Sequence, residues 1–512
     1  MQQKSYTKNY LKIYLWQGIA MILNFLSMFI VIPYLTSNPT TYGIYSICIS
    51  FTMFLAYADF GFIGAGQKYA AEHFARGEKN EEMKVIGFTN FILLIFILLF
   101  SIVFFLLSFK PELLVKGLAT ANSRYVASSL LLILAVFTPT TLLQRLLQMI
   151  FGIRMEDYII QRTTITASFL KIVSVLWFFR DGKYDIVGYF LFTQIVNFFA
   201  AIVTIFIAKK KYSYDFFGLL KAIHFDREVY NKTKGLAFAS LFLTASWILY
   251  YELDSVSIGK FLGAEYVASY GIGLIILTFF RNIFGILFSP FSIRFNHFIG
   301  YGDEEKLNSF LLQVITIIAP IIVIPIITIA MFANPLILTW VGSDYYESIR
   351  IVQFLTFCNF FAFITYPVAT YLMAKEHQKE MYFIASILPI VFWLGILITY
   401  SYWGIFSFAV FKLLAFIISA VVYYKLMLKF LGMNIAESLN KIFKPMLFPV
   451  LFILLSTYFI RDYLPVNKEK SSLLIVVGSA GCLICIAFVM QYFFSESWRS
   501  QMSKLMQSYK KV

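Results

Sequence analysis

The sequence predicts an all-α integral membrane protein of about fourteen transmembrane helices, arranged as two pseudo-symmetric six-helix lobes followed by a carboxyl-terminal helix pair. Three observations predict it. Of the 512 residues, 60% are apolar and only 13% charged, whereas water-soluble domains carry about 25% charged residues. Apolar runs of membrane-crossing length recur along the chain, and two stretches of it share one pattern.

A hydrocarbon core about 30 Å thick takes roughly 20 apolar residues per helix. The expected spans are 14–35, 42–65, 85–108, 125–152, 158–179, 186–208 and 236–255, then 267–288, 307–332, 349–373, 381–400, 403–428, 443–460 and 473–494. The first follows Lys4, Lys8 and Lys12. It is longer than the apolar region of a cleavable signal and no small-residue cleavage site follows, so it reads as a retained helix. The seventh ends in Glu252 and Asp254, and the tenth contains Pro367. All the runs are continuous and lack the period-two alternation of lipid-facing strands, which favours helices over a barrel.

A formal net charge of +15 invites a nucleic-acid reading. The position of the basic residues excludes it. With the amino terminus inside, about 28 of them fall in cytoplasmic segments and about 10 outside, as insertion into a membrane alone demands. Both termini are therefore expected in the cytoplasm, and the protein in a membrane of the inner or plasma membrane type. The loop from Lys209, Lys210 and Lys211 to Lys234 is the most basic; it is either a solvated loop or one that leans on anionic headgroups.

Cys48, Cys358, Cys482 and Cys485 lie in or near spans, where a disulfide framework is not placed. The pair Cys482 and Cys485 has no second pair and no His nearby, so packing is its expected role. His73, His224, His297 and His377 are expected in cytoplasmic loops, without metal-ligand spacing. With no phosphate-binding Gly-rich loop ending in Lys-Ser or Lys-Thr, ATP hydrolysis is not expected. No cofactor is expected beyond a coupling cation, H⁺ or Na⁺.

Gly18-Ile-Ala-Met-Ile-Leu-Asn-Phe-Leu26 opens the first helix, and Gly235-Leu-Ala-Phe-Ala-Ser-Leu-Phe-Leu243 opens the seventh. Tyr42-Gly43-Ile44 recurs as Tyr270-Gly271-Ile272, and His73-Phe74 with Gly77-Glu78 as His297-Phe298 with Gly302-Asp303. The expected organisation is an amino-terminal lobe at 1–211, a basic linker at 212–234, a second lobe at 235–430 and the helix pair with a tail at 431–512. Six helices per lobe is even, so the repeats are parallel. That is a transporter's architecture, in which one lobe rocks against the other around a central cavity.

Ionisable side chains within spans face a cavity or a partner, which singles out Arg145, Lys171, Arg281 and Lys412. Thr141, Gln144 and Gln148 share one face of the fourth helix, and Thr164, Ser168 and Lys171 one face of the fifth. Such stripes either line a lumen or hydrogen-bond helices together. Arg145 and Arg281 lie nearer the cytoplasmic ends, where snorkelling to the interface is the alternative. Asp59 either binds a coupling cation or pairs with a cation such as Arg281. Glu252 and Asp254, near the outer end of the seventh helix, are candidates for the same ion coupling or charge pairing, with exposure to water as the alternative. Gln17 and Asn24, seven residues apart on the first helix, are candidates for facing a lumen and hydrogen-bonding a polar cargo. Many of the 33 tyrosines are expected as interfacial anchors.

Tyr42-Gly43-Ile44-Tyr45, then Tyr57-Ala58-Asp59-Phe60-Gly61-Phe62 and a basic turn after Gln67-Lys68, resemble the first-half signature of the Wzx polysaccharide flippases. Leu253-Asp254-Ser255-Val256-Ser257-Ile258-Gly259-Lys260-Phe261-Leu262-Gly263, followed by Val267-Ala268-Ser269-Tyr270, resembles the second. Wzx proteins belong to the multidrug, oligosaccharidyl-lipid and polysaccharide exporter (MOP) superfamily. The resemblance implies a two-lobed fold like that of the multidrug exporters called MATE. It implies a cargo, too: an undecaprenyl-pyrophosphate-linked oligosaccharide moved between leaflets for O-antigen or capsule, with a polysaccharide polymerase and chain-length machinery as partners. Such a headgroup cannot cross hydrocarbon unaided, since each unpaired polar group costs several kcal/mol there. The four in-span cations suit a diphosphate, Arg through its bidentate fork and Lys as a point charge. A drug antiporter of the same superfamily would favour acidic cavity residues. Together with that antiporter, a lipid II flippase of the same superfamily is the closest rival. A membrane glycosyltransferase or polymerase would need a large external loop, and the external loops here are short.

Overall fold

Inside hydrocarbon every backbone amide must be satisfied within its own segment, which favours helices. The computed structural model describes residues 2–55, 61–118, 120–180, 182–300, 302–496 and 498–502, and among them it is helical with no strand. Asp59 lies outside the described residues. The chain divides into two compact units, Met1–Ala268 and Ser269–Val512.

The first unit holds α1 (Gln2–Leu35), α2 (Pro39–Leu55), α3 (Phe62–Arg76), α4 (Lys79–Phe109), α5 (Ala121–Ile153), α6 (Tyr158–Phe178) and α7 (Ile186–Tyr212). A short α8 (Phe216–Lys221), then α9 (Arg227–Tyr251) and α10 (Leu253–Phe261) follow. Helix α4 packs along α5, α1 along α6, and α7 against both α5 and α6. Beyond its first two turns the exposed side chains of α4 are apolar, Ile95, Leu98, Leu99, Ile102, Phe105 and Leu106 among them, as a lipid-facing surface requires.

Helix α11 (Ala264–Gly300) leads into the second unit, which continues with α12 (Glu304–Met331), α13 (Ala333–Trp340), α14 (Ser348–Phe357), α15 (Ala362–Ala374), α16 (Gln378–Trp403) and α17 (Ile405–Leu431). It closes with α18 (Ile435–Ser438), α19 (Leu447–Ile460) and α20 (Lys470–Phe494). Helix α12 is the centre of this unit: 72% of its apolar window is buried, against 11% for α1. Exposed Tyr346, Tyr402, Trp403 and Tyr463 sit at helix ends, where amphipathic rings anchor at an interface.

Among the described residues eleven helices are long and apolar enough to cross a membrane, or twelve if α14 with α15, bent by 44°, counts as one span. The two other expected spans differ for local reasons. The second coincides with α2 as far as Leu55, and part of its remainder lies outside the described residues. The seventh, expected to be continuous to 255, stops at Tyr251; the chain turns at Glu252 and restarts as α10. The tenth is likewise broken at 358–361. His73 and His297 stand on α3 and α11 rather than in loops, because those helices run on beyond their apolar stretches. Cys482 and Cys485, expected in packing contacts, are exposed on α20.

The signature glycines have steric reasons. Gly43 on α2 faces the α10–α11 turn, where an added Cβ would stand 1.8 Å from the Ala264 carbonyl oxygen. Gly61 has φ +82, and its Cβ would meet Ser240 Cβ at 2.6 Å and Ala237 O at 2.8 Å. Both motifs thus record where two backbones touch. The Gly43→Ala protein is expected to lose about 2–3 kcal/mol of stability, read as a lower unfolding midpoint in detergent. An unchanged midpoint would show that α2 can back away freely.

Candidate functional site

At membrane depth a helix surface meets either lipid or water, and the side chains it exposes tell which. On α1, Leu15, Ile22 and Leu26 are exposed. Asn24 is exposed as well and Gln17 half-buried, on a face about 160° from Leu15 and Ile22 at about 100° per residue. One helix therefore presents an apolar side and a polar side. Helix α5 divides along its length instead: its outward residues are Leu132 and Val136 first, then Gln144 and Gln148. Helix α6 shows Phe169, Val173 and Trp177 on one face and Thr164, Ser168 and Lys171 about half a turn away.

Exposed amides and hydroxyls facing acyl chains would each forfeit their hydrogen bonds, at a cost of several kcal/mol. Among the described residues, the polar faces of α1, α5 and α6 are therefore the candidates for a water-facing surface of the first unit. Two cations belong to them. Lys171 Nζ donates a hydrogen bond to Asn197 Oδ1 on α7 at 2.6 Å, and Thr163 and Thr204 join the same two helices at 3.0 Å. Arg145, half-buried, donates to Gln148 Oε1 on its own helix at 2.9 Å. Asn197 was not singled out by the sequence, although an Asn within an apolar span is the signal that could have found it.

The acidic candidates behave otherwise. Exposure to water is excluded for Glu252 and Asp254, which are 8% and 0% exposed. The turn that ends α9 folds them inward, and Asp254 Oδ1 accepts the Ser255 amide at 2.8 Å in the first turn of α10. Neither contributes to the water-facing surface.

In the second unit Arg281 on α11 is half-buried and lies close enough to the Tyr366 hydroxyl to act on it electrostatically. Lys412 on α17 is fully enclosed, its ammonium 5.0 Å from the centre of the Phe392 ring. It lies within electrostatic reach of the Cys358 thiol, at the α14–α15 break, and α17 packs against both halves of that broken span. Thr356 Oγ1, Asn359 Nδ2 and Ser407 Oγ are buried without a hydrogen bond in this region of the same helices. A cation here compensates the negative carboxyl-terminal end of α14.

No family model matches the sequence, and no characterised protein matches it by sequence. The fold does match solved structures. A structure described as "Lipid II flippase MurJ, inward closed conformation" superposes with a TM-score of 0.68 at 15% identity, over 95% of this chain and 99% of that one. An inward-facing multidrug resistance MATE family transporter of the MOP superfamily gives 0.61 at 15% identity, over 80% of this chain and 94% of that one. A MOP superfamily transporter from Pyrococcus furiosus, whose description speaks of a reverse polarity of its binding pocket, gives 0.53 at 15% identity over 83% and 96%. The chain thus has the MurJ and MATE fold.

Proposed function

We propose that the chain is a flippase that carries undecaprenyl-pyrophosphate-linked oligosaccharide units from the cytoplasmic to the outer leaflet, by alternating access, for O-antigen or capsule assembly. The observation that supports it is the sign of the water-facing surface. Arg145 and Lys171 lie on the polar faces of α5 and α6, as Gln17 and Asn24 do on α1 and Gln144 and Gln148 on α5, while Glu252 and Asp254 are buried. Amides and hydroxyls suit a sugar, and fixed cations in a low-dielectric surround suit a diphosphate. A transporter of cationic drugs would need the opposite sign. In this reading Lys412, enclosed in this conformation, acts on the bend of α14 and α15 rather than on cargo.

Lipid II is the second candidate cargo, favoured by the extent of the match to the MurJ structure. With the cell interior negative, outward movement of each negative charge is favoured by about 2.3 kcal/mol per 100 mV, so no ATPase is required. A coupling cation would add to this drive, and flipping that ignores both potential and ion gradients would overturn this part of the proposal.

The test is substitution at Lys171. Lys171→Gln keeps a donor for Asn197 and removes the charge, so the protein is expected to insert normally and flip about tenfold more slowly, while Lys171→Arg retains most of the rate. Equal rates for wild type and Lys171→Gln would remove Lys171 from the cargo's path.

A further inference from the structure

The end of the first unit that carries Lys209, Lys210 and Lys211 holds a groove that the proposed function does not use. It has a volume of about 410 Å³ and is lined by Tyr158, Arg162, Thr163, Thr166, Ile207 and Lys211. Helices α6 and α7 form its walls, and α1 packs along α6 beside it. Three cations converge on it over aromatic rings: Lys12 5.1 Å from the Tyr158 ring centre, Lys211 5.8 Å from the same ring, and Arg162 5.2 Å from Trp16. Glu156 pairs with Lys211. Among the described residues no acidic group pairs with Lys12 or Arg162, so the groove keeps a net positive charge of its own.

Helical spacing continues the groove into an apolar track. On α6 the face bearing Arg162 and Thr166 goes on as Phe169, Leu170 and Val173, and on α7 the face bearing Lys211 and Ile207 goes on as Val203 and Phe199. Those five apolar residues are exposed. A cationic, hydroxyl-lined head site at the first turns of a span, with rings of the kind that gather at the interface and an apolar strip leading inward, has the polarity profile of a lipid molecule. Free phosphate would use the cations and leave the strip bare.

We propose that this groove binds the phosphodiester headgroup of an anionic phospholipid of the adjoining leaflet, its acyl chains lying along α6 and α7. Arg162 grips the phosphate oxygens and Lys12 adds a second charge, while the Thr163 and Thr166 hydroxyls, which donate to the Ile160 and Arg162 carbonyls, line the head site with polar oxygen. The site rests on the membrane reading alone and is independent of the cargo.

The experiment uses the full-length protein, purified in a neutral detergent and titrated with phosphatidylglycerol or phosphatidylcholine, with retained lipid counted by native mass spectrometry and the unfolding midpoint followed in parallel. Wild type is expected to retain phosphatidylglycerol at least tenfold better than phosphatidylcholine and to be stabilised by it alone. Lys12→Gln with Arg162→Gln is expected to abolish both effects, each single variant to weaken them, and Arg162→Lys to keep most of the retention. Lys79→Gln with Lys221→Gln, two cations removed elsewhere on the unit, is expected to change neither. Equal loss in that control pair would reduce the effect to diffuse attraction and overturn the site. So would inorganic phosphate that competes as well as the phospholipid, or undecaprenyl pyrophosphate that displaces it at lower concentration, which would give the groove to the cargo instead.

Discussion

The Lys412→Met protein is expected to insert, fold and remain as stable as wild type, yet to flip its cargo about 100-fold more slowly. A buried ion replaced by an apolar side chain of similar volume is commonly neutral or stabilising, because the desolvation cost of the charge disappears with it. Stability and transport should therefore separate. The ammonium sits over Phe392 beside the α14–α15 break, where it compensates the end of a half-helix dipole. Without it the bend loses the group that fixes its geometry, and a conformational step that depends on this bend slows. About 100-fold corresponds to roughly 2.7 kcal/mol of barrier. Flipping by reconstituted Lys412→Met protein, compared with its unfolding midpoint, decides the point. A variant that transports at the wild-type rate would make Lys412 a packing residue.

The Arg154→Ala protein is expected to lose about 3–5 kcal/mol, enough to abolish stable expression in a marginal protein. Arg154 donates to Glu82 Oε1 at 2.8 Å and to the Ile150 carbonyl at 2.8 Å, and the side chains of the pair are only 10% and 2% exposed. Its guanidinium also lies 4.6, 5.0 and 5.3 Å from the ring centres of Phe74, Tyr212 and Tyr214. Truncation strands a buried carboxylate and removes the plate on which three rings rest. Arg154→Lys should recover only part of the loss, because a compact ammonium cannot span both oxygen partners and the rings. Thermal unfolding in detergent measures this, and a shift equivalent to less than about 1 kcal/mol would show that water replaces the guanidinium.

The helices and the in-span cations were legible in the sequence for the same reason: a continuous apolar run and a charge within it are both local patterns. Lys171 could be named from the spacing of Thr164, Ser168 and Lys171, but its partner Asn197 lies 26 positions away on α7 and only packing joins them. Arg162, inside the expected span 158–179, was not singled out, and its stacking on Trp16 depends on α1 lying along α6. Glu252 and Asp254 were misplaced because a turn at 252, invisible in a hydropathy pattern, carries them inward. The signature glycines were recognised as a family mark before their cause was visible. That cause is the approach of α2 to Ala264 and of the α3 terminus to α9. Enclosure of Lys412 could not be read from its position in a span, since a cation in mid-helix suits a lumen and a helix break equally well.

The most direct measurement is transfer of undecaprenyl-pyrophosphate-linked oligosaccharide across proteoliposomes containing only this protein, scored by accessibility of the sugar to an external lectin. The account predicts protein-dependent transfer that outpaces the uncatalysed rate and slows when Lys171 is replaced by Gln. Proteoliposomes that expel a cationic drug but leave the lipid-linked sugar on its starting side would contradict it.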